Sequence, residues 1–186
     1  KDKTEFVGAF VRDVVVGKSK YIVSVDLTSL YPMCMVQYNI SPDTLFRPRQ
    51  VRTNLLEQLI NCEQIPELDD AYNLNMAMAA NGSLYKKYDS ALYPDVVKHI
   101  FAKRKEYKAN ELDVTRKIES LKHTIGKSKP TPQQADTLIK LSSEKAIFKA
   151  KQMAMKIAIN SLYGASGNVG FRYYDINIAE AITMSG

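Results

Sequence analysis

The apolar positions of this chain change their spacing as it proceeds, and the changes mark its elements. Phe6 to Val16 and Tyr21 to Val25 are rich in β-branched and aromatic residues and flank the polar turn Gly17-Lys-Ser-Lys20. That pattern predicts an antiparallel β-hairpin whose second arm ends at Asp26. Leu30 to Tyr38 is apolar, with Pro32 where a first helical turn accepts proline, so a short helix is expected, stopped by Asn39-Ile-Ser-Pro42. From Asp43 to Ala80 the signal is mixed: Val51 to Cys62 reads as an amphipathic helix, Pro66 to Asp70 as a loop, and Asn81-Gly82 as a turn.

Beyond Pro94 no proline or glycine interrupts until Gly126, which predicts a long helix to Ile125. Thr131-Pro-Gln-Gln134 then supplies an N-cap, a first-turn proline and a capping-box glutamine for a second helix running to about Leu162. At ~1.5 Å per residue each helix is on the order of 45 Å long, more than a compact chain of this size needs, so the pair is expected to project as an antiparallel hairpin. Ala146, Ala150, Met153 and Ile157 follow the spacing of one helical face and are expected to pack against the first helix. Tyr163-Gly164 is expected to end the second helix, with glycine leaving it at positive φ.

Composition adds a location for charge. The chain has 186 residues, 45% of them hydrophobic, and a net charge of +6. Between Tyr85 and Lys129 there are 12 Lys/Arg against 6 Asp/Glu, so the whole excess lies there. Such a segment is either a solvated face or the footprint of phosphate contacts. No 18-residue apolar run is present, and the first residues lack the apolar core of a signal peptide, so a soluble, cytoplasmic protein with no membrane partner is expected. Cys34 and Cys62 stand apart from each other and from other ligand types, which points to ordinary thiols rather than to a disulfide or zinc.

The candidate chemistry gathers at two places. Asp26 is expected at the end of a strand, beside a helix N-terminus where the amides of Ser29, Leu30 and Tyr31 point outward. Such a corner suits a cation on the carboxylate and an anion on the amides, although an ordinary strand-to-helix turn with an Asp cap has the same look. Lys156, Asn160 and Tyr163 are spaced to share one helical face, and Arg104 and Lys108 are four apart on the preceding helix. An antiparallel hairpin brings the second pair level with Lys156 and Asn160. Lys103, Lys105, Lys149 and Lys151 read as solvated surface.

Asp26-Leu-Thr-Ser-Leu-Tyr-Pro32 resembles motif A of the family B DNA polymerases, and Lys156-Ile-Ala-Ile-Asn-Ser-Leu-Tyr-Gly164 resembles their motif B. Phe101-Ala-Lys-Arg-Lys-Glu-Tyr-Lys108 is similar to the basic motif of their fingers helix. Gly8-Ala-Phe-Val11, Gly167-Asn168 and Phe171-Arg-Tyr-Tyr-Asp175 look closest to the replicative enzymes of large tailed phages. The resemblance implies an α+β fold: a partial palm over 1–93, with an insertion of unassigned role, a fingers hairpin over 94–163, and a return to the palm over 164–186. It implies template-directed nucleotidyl transfer on primer–template DNA, in the cytoplasm of a host cell if the protein is phage-encoded.

Site roles follow from the same resemblance. Asp26 and the Leu27 carbonyl are implied as magnesium ligands in a two-metal site, with Asp26 and Lys156 catalytic. The amides of Ser29 and Leu30, together with Arg104, Lys108, Lys156 and Asn160, are implied to hold the triphosphate of a deoxynucleoside triphosphate. Tyr31 is implied to lie under the sugar and exclude a 2′-hydroxyl, and Tyr163 and Gly164 to face the nascent base pair. No Asp-x-Asp occurs in the sequence, so motif C is missing and the metal centre is only partly supplied. A piece of a larger or split enzyme, inactive alone, is therefore expected, with the remaining polymerase (motif C palm, thumb and exonuclease) as partner. The rival expectation is a non-catalytic basic hairpin that binds nucleic acid or a partner helix.

Overall fold

A computed structural model describes residues 13–48 and 55–186. These form two compact units, Lys1–Val97 with Asn160–Gly186, and Lys98–Ile159. The described elements are α1 (Leu30–Gln37), β1 (Leu45–Arg47), α2 (Leu55–Ile60), α3 (Pro66–Asn73), β2 (Met76–Met78), β3 (Leu84–Lys86), α4 (Leu92–Ile125), α5 (Pro132–Ser166) and α6 (Ile176–Ser185). The fold is α+β, with a three-stranded antiparallel sheet in the order β1-β3-β2.

In the first unit, α1 is apolar on nearly every side and buries Pro32, Cys34 and Met35. It ends where Asn39 takes a left-handed conformation (φ 54°) and the Ile40 amide donates back to the Met35 carbonyl at 2.9 Å, a Schellman closure. The core joins Met35 and Ile40 to Ala79, Tyr85, Tyr93 and Val97, and to Ile178, Ala181 and Ile182 of α6. Asp175 caps α6, its carboxylate accepting from the Asn177 amide at 2.8 Å. Burial pushes the Tyr93 phenol up to about 12, and its hydroxyl donates to the Tyr173 carbonyl at 3.4 Å.

The β-hairpin of the structure is β2–β3, closed by Asn81-Gly82 with Gly82 at φ 82°. The hairpin expected from 6 to 25 is not seen over 13–25, and its first arm from Phe6 to residue 12 lies outside the described residues. Val23 and Val25 are 86% and 85% exposed. β-Branched residues favour a strand only where a neighbouring strand or packed face receives them, and among the described residues none pairs with this run. Pro66 to Asp70 is also corrected, from loop to the first turns of α3. Pro66 stands at the helix start, with Glu67 and Asp69 in the first turn complementing the positive end of the helix.

In the second unit, α4 and α5 run antiparallel, with the Lys151 ammonium 5.6 Å from the centre of the Tyr107 ring. The expected capping box at the start of α5 forms in both directions: the Thr131 amide donates to Gln134 Oε1 at 2.9 Å and the Gln134 amide to Thr131 Oγ1 at 3.3 Å. The seam, however, is not the one the alanines suggested. Leu138, Leu141, Lys145, Phe148, Gln152, Met155 and Ile159 form a less exposed stripe along α5, and Arg104, Tyr107, Glu111, Val114, Ile118, Leu121 and Ile125 form the corresponding stripe of α4. Both stripes advance by alternating threes and fours, the period of a coiled-coil seam. Ala146, Ala150, Met153 and Ile157 face solvent, Ile157 at 60% exposure. Burial free energy scales with apolar area, so the stripe of leucine, phenylalanine and isoleucine displaces the one made largely of alanine.

Gly164 does not end α5. The helix continues to Ser166, which is fully buried and donates its hydroxyl to the Tyr163 carbonyl at 2.7 Å. Leu162 and Tyr163 pack on the core across this turn, and that packing outweighs the roughly 1 kcal/mol that an interior glycine costs a helix. Among the described residues, a Cβ added to Gly164 would meet nothing within 4 Å.

The two stripes of α5 can be told apart by urea denaturation. Ile118→Ala, on the seam, is expected to destabilise the hairpin by about 2–4 kcal/mol. Met153→Ala, on the exposed stripe, is expected to cost at most about 0.5 kcal/mol. Equal losses from both would contradict this packing.

Candidate functional site

The first cluster is built around the start of α1. Ser29, at the N-cap position, adopts φ 57° and ψ 50°, a left-handed conformation that costs a non-glycine residue about 1–2 kcal/mol. Its carbonyl accepts from the Met33 amide at 3.0 Å, closing the first turn. Leu30 and Tyr31 are the first two residues of the helix, so their amides have no carbonyl one turn back to bond within it. Asp26 and Leu27 precede this turn and are exposed. Asp26 offers a single carboxylate there, and no group of three or more His, Cys, Asp or Glu residues comes together among the described residues.

The Tyr31 ring is stacked on the Tyr163 ring, with centroids 4.9 Å apart and planes 22° from parallel. Two residues singled out at opposite ends of the sequence therefore meet in one unit. The Tyr163 hydroxyl lies 2.7 Å from Thr183 Oγ1. Thr183 donates its only hydroxyl hydrogen to the Ala179 carbonyl at 3.0 Å, so Tyr163 is the donor to Thr183. The backbone at Gly186 also closes on Tyr31, since a Cβ there would lie 2.8 Å from the ring. Thr183 was not singled out from the sequence. A tyrosine hydroxyl taken inward needs a partner, but nothing in the order of residues says which element provides it.

The cationic candidates divide differently. Arg104 lies on the partly buried stripe of α4, whereas Lys108 is exposed beside it. The antiparallel pairing of Tyr107 with Lys151 puts Arg104 about level with Lys156, but it puts Lys108 level with Lys151, roughly one turn short of Lys156. Lys156 and Asn160 are exposed and one turn apart on the unbroken α5. Lys103 pairs with Glu106 at 2.9 Å, and Lys151 sits over the Tyr107 and Phe148 rings, which accounts for two of the lysines set aside as surface.

Among the described residues no helix is long and apolar enough to cross a membrane. Residues 1–125 match the family model for DNA polymerase family B. The chain is 33% identical over 210 residues to the DNA-directed DNA polymerase of Enterobacteria phage T4, an alignment covering 99% of this chain and 23% of the relative. It is 34% identical over 207 residues to the DNA-directed DNA polymerase of Escherichia phage RB69, covering 97% and 22%. A DNA polymerase beta of African swine fever virus is 28% identical over 191 residues, covering 100% and 15%. The chain thus spans less than a quarter of the length of these relatives. With the family model matching well over half of its residues, the chain belongs to DNA polymerase family B.

Proposed function

We propose that this chain is the palm and fingers part of a DNA-directed DNA polymerase that adds deoxynucleotides to a primer paired with a template. The observation that supports the reading is the stack of Tyr31 on Tyr163, because it brings together one residue from each of the two stretches that resemble motifs A and B. In this reading the first unit is palm and the second is fingers. Motif C palm, thumb and exonuclease would come from the rest of the polymerase, in the same or a separate chain.

Each residue then has a task. The amides of Ser29 and Leu30 receive the triphosphate at the positive end of α1. Tyr31 lies under the deoxyribose, and its ring fills the space that a 2′-hydroxyl would need. Tyr163 and the open backbone at Gly164 face the nascent base pair; among the described residues no packing requires glycine at that position, and its absent side chain leaves room for a base to lie flat. Arg104, Lys108, Lys156 and Asn160 hold the β- and γ-phosphates by charge-assisted bonds. Lys156 counts as catalytic because it neutralises charge on the phosphates as the leaving group departs.

Asp26 and the Leu27 carbonyl would hold magnesium, and the donor chemistry fits in kind, since both are exposed hard oxygens. It does not fit in number, as one carboxylate is too few for a two-metal centre. When bound, the metal supplies charge stabilisation for the attacking and leaving oxygens.

Two outcomes are expected in the polymerase that carries this segment. Asp26→Asn keeps the shape and removes the charge, so nucleotide addition should fall by more than about a thousandfold, a loss of several kcal/mol of transition-state stabilisation. A rate within about tenfold of wild type would exclude Asp26 as a metal ligand. Lys156→Ala should lower incorporation efficiency by about one to two orders of magnitude, with an effect not additive with that of Arg104→Ala, since both act on one ligand. If both variants instead weakened DNA binding at every sequence, and left the apparent nucleotide affinity alone, the basic hairpin would be a nucleic-acid-binding face and not a triphosphate clamp.

A further inference from the structure

We infer that Thr183 is a positioning residue for sugar selection, holding the Tyr31 ring in place through the hydroxyl of Tyr163. The inference rests on the reading of Tyr31 as the residue that excludes a 2′-hydroxyl. A ring that selects by bulk works only if it cannot swing aside. Exclusion then depends on what fixes the ring.

Here the fixing comes from α6 and the residue that follows it. The Tyr31 ring lies on Tyr163, whose hydroxyl donates to Thr183 at 2.7 Å. The backbone at Gly186 also approaches the Tyr31 ring so closely that even a methyl group would clash with it. Thr183 is itself immobilised. It is 5% exposed, it is β-branched and so restricted at χ1, and its hydroxyl donates to the Ala179 carbonyl.

The helix behind it is anchored in turn. Ile178, Ala179, Ala181 and Ile182 are fully buried, and Asp175 caps its first turn. Asn81 Nδ2 donates to the Asn177 carbonyl at 3.0 Å, and the Ala80 amide donates to Ser185 Oγ at 3.1 Å. A line of contacts therefore runs from the core through Thr183 and Tyr163 to the edge of the proposed sugar site. Stacking alone tolerates sliding of one ring over the other, whereas the hydrogen bond at the far end of Tyr163 sets where that ring stops.

The measurement is the ratio of kcat/KM for a deoxynucleotide to kcat/KM for the matching ribonucleotide, in the polymerase that carries this segment. Thr183→Val keeps the shape and removes the hydroxyl, and is expected to lower the ratio by about three- to tenfold, the range set by loss of one hydrogen bond. Thr183→Ser keeps the hydroxyl and should stay within about twofold of wild type. Tyr163→Phe breaks the same bond from the other side while keeping the stack, so it should match Thr183→Val, and the two together should lower the ratio no further. It also reads the bond independently should the valine variant not fold.

Tyr31→Val is the control, expected to collapse the ratio outright. If it does so while Thr183→Val and Tyr163→Phe leave the ratio unchanged, the positioning role is overturned and the reading of Tyr31 stands. The role is likewise overturned if the effects of the two variants simply add. If Tyr31→Val itself leaves the ratio unchanged, both the reading of Tyr31 and the inference built on it fall.

Discussion

Stacking of Tyr31 on Tyr163 is the contact on which the site depends. It ties the first turn of α1 to the last turns of α5, and the hydrogen bond from Tyr163 to Thr183 ties both to α6. A pair of aromatic rings contributes about 0.5–1.5 kcal/mol beyond the area it buries, which is too little to hold three helices in register by itself. The register comes from the core behind it, where Met35 of α1 packs with Ile178, Ala181 and Ile182 of α6. The stack converts that buried framework into a defined ring position at the surface.

A different balance governs the hairpin. Its seam is made by the larger apolar side chains of α4 and α5, and its charged residues sit on or beside that seam. Arg104 is half-buried on the inward stripe while Lys108 and Lys156 stand in solvent, so the three cations differ in how much freedom they keep. A side chain partly fixed by packing loses less entropy on meeting a phosphate than one that is fully free. In the proposed clamp the three would therefore contribute unequally to holding a triphosphate.

How much of this was legible in the sequence depended on how local each signal is. Capping and turn chemistry was readable, since Thr131 with Gln134, Asn39 after α1, and Asn81-Gly82 act over four or five residues. Strand formation at 21–25 was not, because β-branched residues report a preference that a neighbouring strand must satisfy. The seam of α5 was misassigned because two apolar stripes share the helix, and choosing between them requires knowing what α4 presents. Gly164 read as a stop, yet packing of Leu162 and Tyr163 carries the helix past it. The motifs located Asp26, Tyr31 and Tyr163, while Thr183 emerged only from the folded contact. Sequence patterns thus pointed to the candidate site residues more readily than to the groups that support them in the fold.

In the proposed function the Tyr31–Tyr163 stack borders a deoxynucleotide site opening at the start of α1. A diffraction structure of the polymerase carrying this segment, with primer–template and an incoming deoxynucleotide, tests it most directly. The expected result places the C2′ atom of the sugar against the Tyr31 ring at about 4 Å, ordinary carbon contact distance, with the triphosphate at the amides of Ser29 and Leu30. A nucleotide bound elsewhere, or one whose sugar is separated from Tyr31 by solvent or another side chain, would contradict the account.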